Sequence, residues 1–228
     1  MLHHDHVTAI IAGASGLVGG HLIGMLSESN NIDKVYALCR SPLSSPFDKV
    51  ETIMDGGLRV TQWDDDKTAP EIGFICLGTT RKQAGSKAAL EKVDYDLVCD
   101  VAKTMKMLGV KRIAVVSSLG ASPRSLSHYL RCKGKAEERI GQLGFDTVIF
   151  VRPGPLAGRK KLIRSDEVML QKVMPFFKPL MIGPLENYLP IAAENVAKSM
   201  LYSVFLEQSQ AVSTLDSKQM TGLLQQYS

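Results

Sequence analysis

No stretch of this 228-residue chain approaches the roughly 20 apolar residues of a membrane-spanning helix, so no membrane association is expected. The opening residues Met1-Leu2-His3-His4-Asp5-His6 lack the basic and apolar regions of a signal peptide. The three histidines there fit a frayed terminus better than a metal site. Cysteine is sparse: Cys39, Cys76, Cys99 and Cys132 are widely spread, with no C-x-x-C pair. That spacing argues against a disulfide framework or a zinc site. It leads us to expect free thiols in a reducing cytoplasm, and no metal. An excess of one charge is also missing: 27 Lys and Arg oppose 23 Asp and Glu, a net charge of +4. Nucleic-acid binding, which needs a clustered basic face, is therefore not expected. What is present, 45% hydrophobic and 22% charged residues, is the balance of a soluble globular protein and excludes wholesale disorder. The length suits one sizeable domain over residues 1–228.

Strand and helix signals alternate through the first two thirds. Val7 to Ala12 is short and apolar, as a strand buried on both faces would be. A glycine-rich turn and a helical pattern over Leu17 to Leu26 follow. Further strands are expected at Val35–Cys39, Leu58–Gln62, Gly73–Leu77, Arg112–Ser117 and Thr147–Val151. Long helices are expected at Leu90–Leu108, ending at Gly109, and at Tyr129–Leu143, closed by Gly144. Only a short acidic stretch with Pro70 joins the third and fourth strands, too little for a crossover helix. This pattern predicts parallel βαβ units and an α/β, Rossmann-like doubly wound sheet. After Arg152 the pattern breaks. Residues 153–190 read as a substrate-side lid with a helix at 166–174, followed by a helix at Glu194–Phe205, a strand at Val212–Leu215 and a last helix capped by Asp216.

Gly13-Ala14-Ser15-Gly16-Leu17-Val18-Gly19 is a G-x-x-G-x-x-G turn between the first strand and its helix. The early glycines permit a tight turn and close approach of a pyrophosphate, and the last lets the helix pack near the strand. The helix N-terminus then offers N–H groups and partial positive charge to phosphate. At the end of the second strand, Cys39-Arg40-Ser41 carries a guanidinium where an NAD site usually has a carboxylate. Arginine matches a phosphate in fork geometry, so NADP(H) is expected over NAD(H).

Ser117-Ser118-Leu119-Gly120-Ala121 ends the fifth expected strand, and Tyr129-Leu130-Arg131-Cys132-Lys133 opens the next helix. Residues four apart share a helix face, so an ammonium lies near the phenol and favours its ionised form. A serine hydroxyl from the strand end can polarise a carbonyl. These are the parts that move a proton while a hydride passes to or from a nicotinamide.

These motifs resemble the short-chain dehydrogenase/reductase superfamily over essentially the whole chain. The stretches Cys76-Leu77-Gly78-Thr79-Thr80-Arg81, Val93-Asp94-Tyr95-Asp96, Tyr129 to Glu137 and Phe150-Val151-Arg152-Pro153-Gly154 resemble its atypical Tat-interactive protein group. The resemblance implies a Ser/Tyr/Lys site and NADP(H) binding. Gly13, Ala14, Ser15, Gly16, Leu17 and Val18 would line the pyrophosphate, and Arg40 with Ser41 the 2′-phosphate. Leu77, Gly78 and Thr79 would line the adenosine-ribose side, and Pro153 would support the nicotinamide amide. Ser118 would orient a substrate carbonyl, with Ser117 the second choice. Tyr129 would be the acid/base, and Lys133 would bind the ribose and tune Tyr129. Trp63-Asp64 falls where relatives place an adenine contact, and Asp94 stands where many relatives have a structural Asn.

The leading reading is thus an NADP(H)-dependent oxidoreductase acting on a small carbonyl or alcohol. The alternatives are an NADPH-binding regulator with a protein partner and a sugar-nucleotide epimerase, the short lid speaking against the last. His128 reads as a solvated helix start. Arg159 to Arg164 reads as a solvated basic loop, or as a surface for an anionic substrate or partner. Met174 to Met181 reads as lid packing.

Overall fold

Val7–Ala12 (β1) is buried along its whole length, and its side chains divide between two cores on opposite sides of a sheet. Val7, Ala9 and Ile11 enter one core, Ile10 and Ala12 the other, as the two-residue period of a strand requires. The same division recurs in Ile32–Cys39 (β2), Arg112–Val116 (β5) and Thr147–Arg152 (β6). These strands read as apolar runs because helices cover both faces. The structure is a computed structural model, and it describes residues 6–43, 47–157, 183–207 and 209–227.

With Val50–Met54 (β3), Ile72–Ile75 (β4) and Val212–Asp216 (β9), these strands form one seven-stranded sheet in the order β3-β2-β1-β4-β5-β6-β9. Every pairing is parallel. Leu17–Glu28 (α1), Ala193–Ser203 (α6) and Ser217–Gln226 (α7) pack into the first core. Val98–Met107 (α4) and His128–Gly141 (α5) pack into the second. This is the expected doubly wound Rossmann-like fold.

Leu156–Ala157 (β7) and Ile191–Ala192 (β8) form a separate parallel pair, and Gly183–Tyr188 is a 3₁₀ turn. These are the described parts of the expected lid. The helix at 166–174, the basic run at 159–164 and most of the apolar stretch at 174–181 lie outside the described residues.

The third strand differs from expectation. It runs over Val50–Met54, pairing Val35 with Val50 and Cys39 with Met54, and not over Leu58–Gln62. Leu58-Arg59-Val60-Thr61 alternates apolar and polar residues, whereas Val50-Glu51-Thr52-Ile53-Met54 does not, so periodicity favours the segment that is not a strand. Leu58 has a φ of 54°, which no strand residue adopts. It follows a turn in which one carboxylate oxygen of Asp55 accepts from the amides of Gly57 and Arg59. The expected helix at Leu90–Leu108 is also modified. Arg81–Ala84 (α2) and Lys87–Glu91 (α3) come first, and a six-residue π segment, Lys92–Leu97, separates α3 from α4. Gly109, with φ 99°, ends the run as its position predicted.

Candidate active site at the C-terminal edge of the sheet

β1 lies between β2 and β4, so the chain leaves it in one direction and later resumes on the other side. Such a switch point opens a crevice beyond the strand ends, and there the glycine turn lies. Gly13 has a φ of 91°, and a Cβ on it would stand 2.7 Å from the Cys76 carbonyl carbon. A Cβ on Gly19 would stand 2.1 Å from the Gly13 oxygen. These two glycines therefore press the turn against the end of β4 and α1 against the turn. Gly16 is the N-cap of α1; no side chain caps it, and no acidic residue occupies the first turn. The N-terminal amides of α1 are thus left to an outside acceptor. Ser15 and Gly16 are exposed and Leu17 is half-buried, whereas the side chains of Ala14 and Val18 belong to the core. Ala14 and Val18 can meet a ligand only through their main chain.

Arg40 and Ser41 are exposed just past β2, beside the end of β1, and no ion pair engages Arg40 among the described residues. Trp63 packs edge-on against Tyr36, with ring centroids 5.0 Å apart.

Past β4, Leu77 is buried, Gly78 is exposed and Thr79 is half-buried. This segment meets α5 through Lys133. The Lys133 ammonium lies 2.9 Å from Asp94 Oδ1, with the side chains 3% and 0% exposed. It also donates to the carbonyls of Leu77 at 3.4 Å and Val116 at 3.3 Å. Asp94 Oδ2 accepts from the Thr79 amide at 3.0 Å. Oδ1 makes the ion-pair contact without hydrogen-bond alignment. A Cβ on Gly78 would stand 3.3 Å from both Asp94 Oδ1 and Lys133 Nζ, so a side chain there would crowd this pair. Burial alone would lower the Lys133 pKa, but the adjoining negative charge of Asp94, and after it Tyr129 and Glu137, more than offset this, and the net shift is upward. Asp94 sits in the π segment, which re-aims a helix face and often marks functional sites.

Ser127 caps α5, accepting from the Leu130 amide. Tyr129 is half-buried one turn before Lys133. The loop after β5 lies tightly across this helix. Ser122 donates its amide to the Leu130 carbonyl at 3.2 Å, and a Cβ on Gly134 would stand 2.1 Å from the Ser122 carbonyl carbon. The two serines differ. Ser117 is buried and donates to Glu137 Oε1 at 2.5 Å, whereas Ser118 is half-buried with only a 3.4 Å contact to the Leu119 carbonyl. Ser118 is thus the less committed hydroxyl. Glu137 is also held by Arg152, through Nε at 2.9 Å and through Nη2. The Ser117–Glu137–Arg152 network ties β5, α5 and β6 together. Motif reasoning assigned Glu137 and Arg152 no role, although both fall inside the stretches that carry the resemblance. Pro153 is buried just past β6, and its carbonyl accepts from Leu119 at 3.0 Å.

Comparison with known proteins places this arrangement. A family model described as HIM1 matches residues 71–181, the span from β4 through α5 and β6. Protein FMP52, mitochondrial, of Saccharomyces cerevisiae is 35% identical over 156 residues, 68% of this chain and 68% of that protein. The chain belongs to the FMP52 family. The matches name FMP52 and not the Tat-interactive protein. Among solved structures, MoeE5 in complex with UDP-glucose and NAD has a TM-score of 0.65 at 17% identity, covering 91% of this chain and 75% of its own. The oxidoreductase ylbE from Lactococcus lactis has a TM-score of 0.60 at 18% identity, covering 96% of this chain and 97% of its own. These likenesses show the fold, a Rossmann-like α/β sheet. The expectation of a cytoplasmic protein is overturned, because the FMP52 relatives are named mitochondrial. Free, dispersed cysteines do not identify a compartment.

Proposed function

We propose that this FMP52-family chain is an NADP(H)-dependent oxidoreductase acting on a small carbonyl or alcohol. The observation that carries this reading is one run of contacts along the sheet edge. The uncapped glycine turn presses on Cys76, Leu77 accepts from Lys133, and Lys133 shares a face of α5 with Tyr129. MoeE5, of similar fold, is described with NAD. The exposed Arg40, in place of a carboxylate, turns the preference here toward a 2′-phosphate. The residues fit such a cofactor. Main-chain groups of residues 13–18 face a phosphate, Leu77, Gly78 and Thr79 border the cleft, and Arg40 and Ser41 lie at its far end. Pro153 lies on the nicotinamide side, and Lys133 is assigned to the ribose. When bound, the cofactor supplies or accepts the hydride. Ser118 Oγ donates a hydrogen bond to the substrate carbonyl oxygen, and the Tyr129 hydroxyl gives that oxygen its proton, or takes it in the reverse direction. The test is a screen of carbonyl compounds with NADPH oxidation as readout, run beside Tyr129→Phe. Turnover that survives this substitution within a few fold overturns the assignment.

One observation favours a second reading, an NADPH-loaded regulator of a protein partner. Lys133 is already neutralised by Asp94, and a paired ammonium exerts less field on a neighbouring phenol than a lone one. If no carbonyl is turned over while NADPH alters affinity for a protein partner, this reading takes over.

A further inference from the structure

On α5, one residue before the Tyr129/Lys133 stripe, His128 and Cys132 form a parallel stripe about 100° round the helix. Cys132 is 2% exposed, and its Sγ lies 3.6 Å from His128 Nε2. Glu91, the last residue of α3, brings Oε2 to 3.6 Å from the same nitrogen, its side chain being 39% exposed and that of His128 20%. The Lys87 carbonyl oxygen stands 3.1 Å from it as well. The three side-chain donor atoms all lie within 4.8 Å of one another.

We propose that Glu91, His128 and Cys132 form a binding site for a divalent, borderline-soft cation of the zinc type, which pins α3 to the start of α5. The triangle of donors has a centre no more than about 2.4 Å from any corner, close to the roughly 2.0–2.3 Å of zinc–nitrogen, zinc–oxygen and zinc–sulfur bonds. The donor set of thiolate, imidazole and carboxylate is one that zinc takes, and the Lys87 carbonyl or a water can complete a tetrahedron. The alternative is a Cys–His–Glu nucleophilic triad. That needs the thiol and the carboxylate on different ring nitrogens. Here both converge on Nε2, while Nδ1 faces Arg131 Nη2 at 3.4 Å. One proton on Nε2 serves one partner, whereas a cation serves all of them. Binding releases the thiol proton to solvent and moves the ring proton to Nδ1. Arg131 then gives up its contact with Nδ1, and its other nitrogen keeps its 2.6 Å bond to the Ser125 carbonyl. Helical spacing supplies the histidine and the cysteine, but only the fold brings Glu91, 37 residues earlier than His128, beside them.

The test uses the full chain, stripped with a chelator and titrated with Zn²⁺ alone and with Co²⁺ as a spectroscopic stand-in. One equivalent is expected to bind, with a thiolate-to-cobalt charge-transfer band and a rise in Tm. Cys132→Ser should abolish the band. Cys132→Ser, His128→Gln and Glu91→Gln should each weaken Zn²⁺ affinity by about 100-fold or more, beyond the 10–100-fold typical of an outer-sphere partner. Glu91 is partly exposed, so Glu91→Gln keeps the test open if a core variant fails to fold. Affinity and band unchanged in all three variants, or lost only on replacing His3, His4 and His6, would overturn the proposal. So would a Zn²⁺ affinity no tighter than that of these variants.

Discussion

Lys133 and Glu137 lie one turn apart on α5, both buried and each facing an opposite charge, but the two pairs are built differently. Glu137 uses both oxygens on the Arg152 guanidinium, and one of them also accepts from Ser117. The network joins three elements, which is the construction of a structural clamp. Lys133 instead has two long carbonyl contacts and an ion pair lacking hydrogen-bond alignment, covered on one side by a glycine. Glu137 is thus fixed by aligned bonds to two other elements, whereas Lys133 depends chiefly on the charge of Asp94 to stay in the interior.

The largest expected effect tests whether the Lys133 side carries chemistry at all. Tyr129→Phe should lower turnover of a carbonyl substrate by about 10²–10⁴, the range for loss of a general acid or base, with NADPH binding nearly intact. Next comes Asp94→Ala, which strands the Lys133 charge in the interior. Urea unfolding at neutral pH should show a loss of about 3–5 kcal/mol. A loss smaller than that from Glu137→Gln would break the comparison.

Arg40→Ala should reduce the preference for NADPH over NADH by about 10–100-fold in fluorescence titrations, the worth of a charge-assisted contact. Unchanged preference would remove Arg40 from the site. Glu137→Gln should cost about 1–3 kcal/mol of stability, because Arg152 and Ser117 lose an ionised partner, while cofactor affinity stays unchanged.

The smallest effect is in the pH dependence. The Lys133 pKa is raised above its ordinary 10.5, Asp94 outweighing the lowering by burial. The stabilisation is thus whole below 10.5 and is lost as the pH climbs through the higher folded value. In Asp94→Asn burial acts with less opposition and should depress the lysine instead. Stability should then rise as the pH approaches the lysine range. The same slope in both proteins, followed by Tm, would show that the pair is not coupled as described.

Much of this molecule was legible in the chain because its signals are local. β1, β2 and β4 to β6 are apolar runs too short for helices, and parallel sheets bury both faces of such runs. The G-x-x-G-x-x-G turn, the closing role of Gly109 and the Asp216 cap, whose side chain accepts from the Gln219 amide, are set by backbone conformation within a few residues. Tyr129 and Lys133 share a face because the helix repeats every 3.6 residues.

Where the local signal pointed elsewhere, the fold overrode it. Leu58–Thr61 alternates and Val50–Met54 does not, but the ladder to β2 and the Asp55 turn make Val50–Met54 the strand. The partners of the buried charges were likewise decided in three dimensions. Asp94 reaches Lys133 from 39 positions away, through a π segment with no sequence signature. Arg152 reaches Glu137 from a neighbouring strand. The sequence by itself determined most of the strands and helices and where the glycine turn and the Tyr/Lys stripe fall, because those depend on period and backbone freedom. Only the tertiary structure decided which charges neutralise one another, which serine is committed and which donors converge on His128, because those depend on distances between elements far apart in the chain.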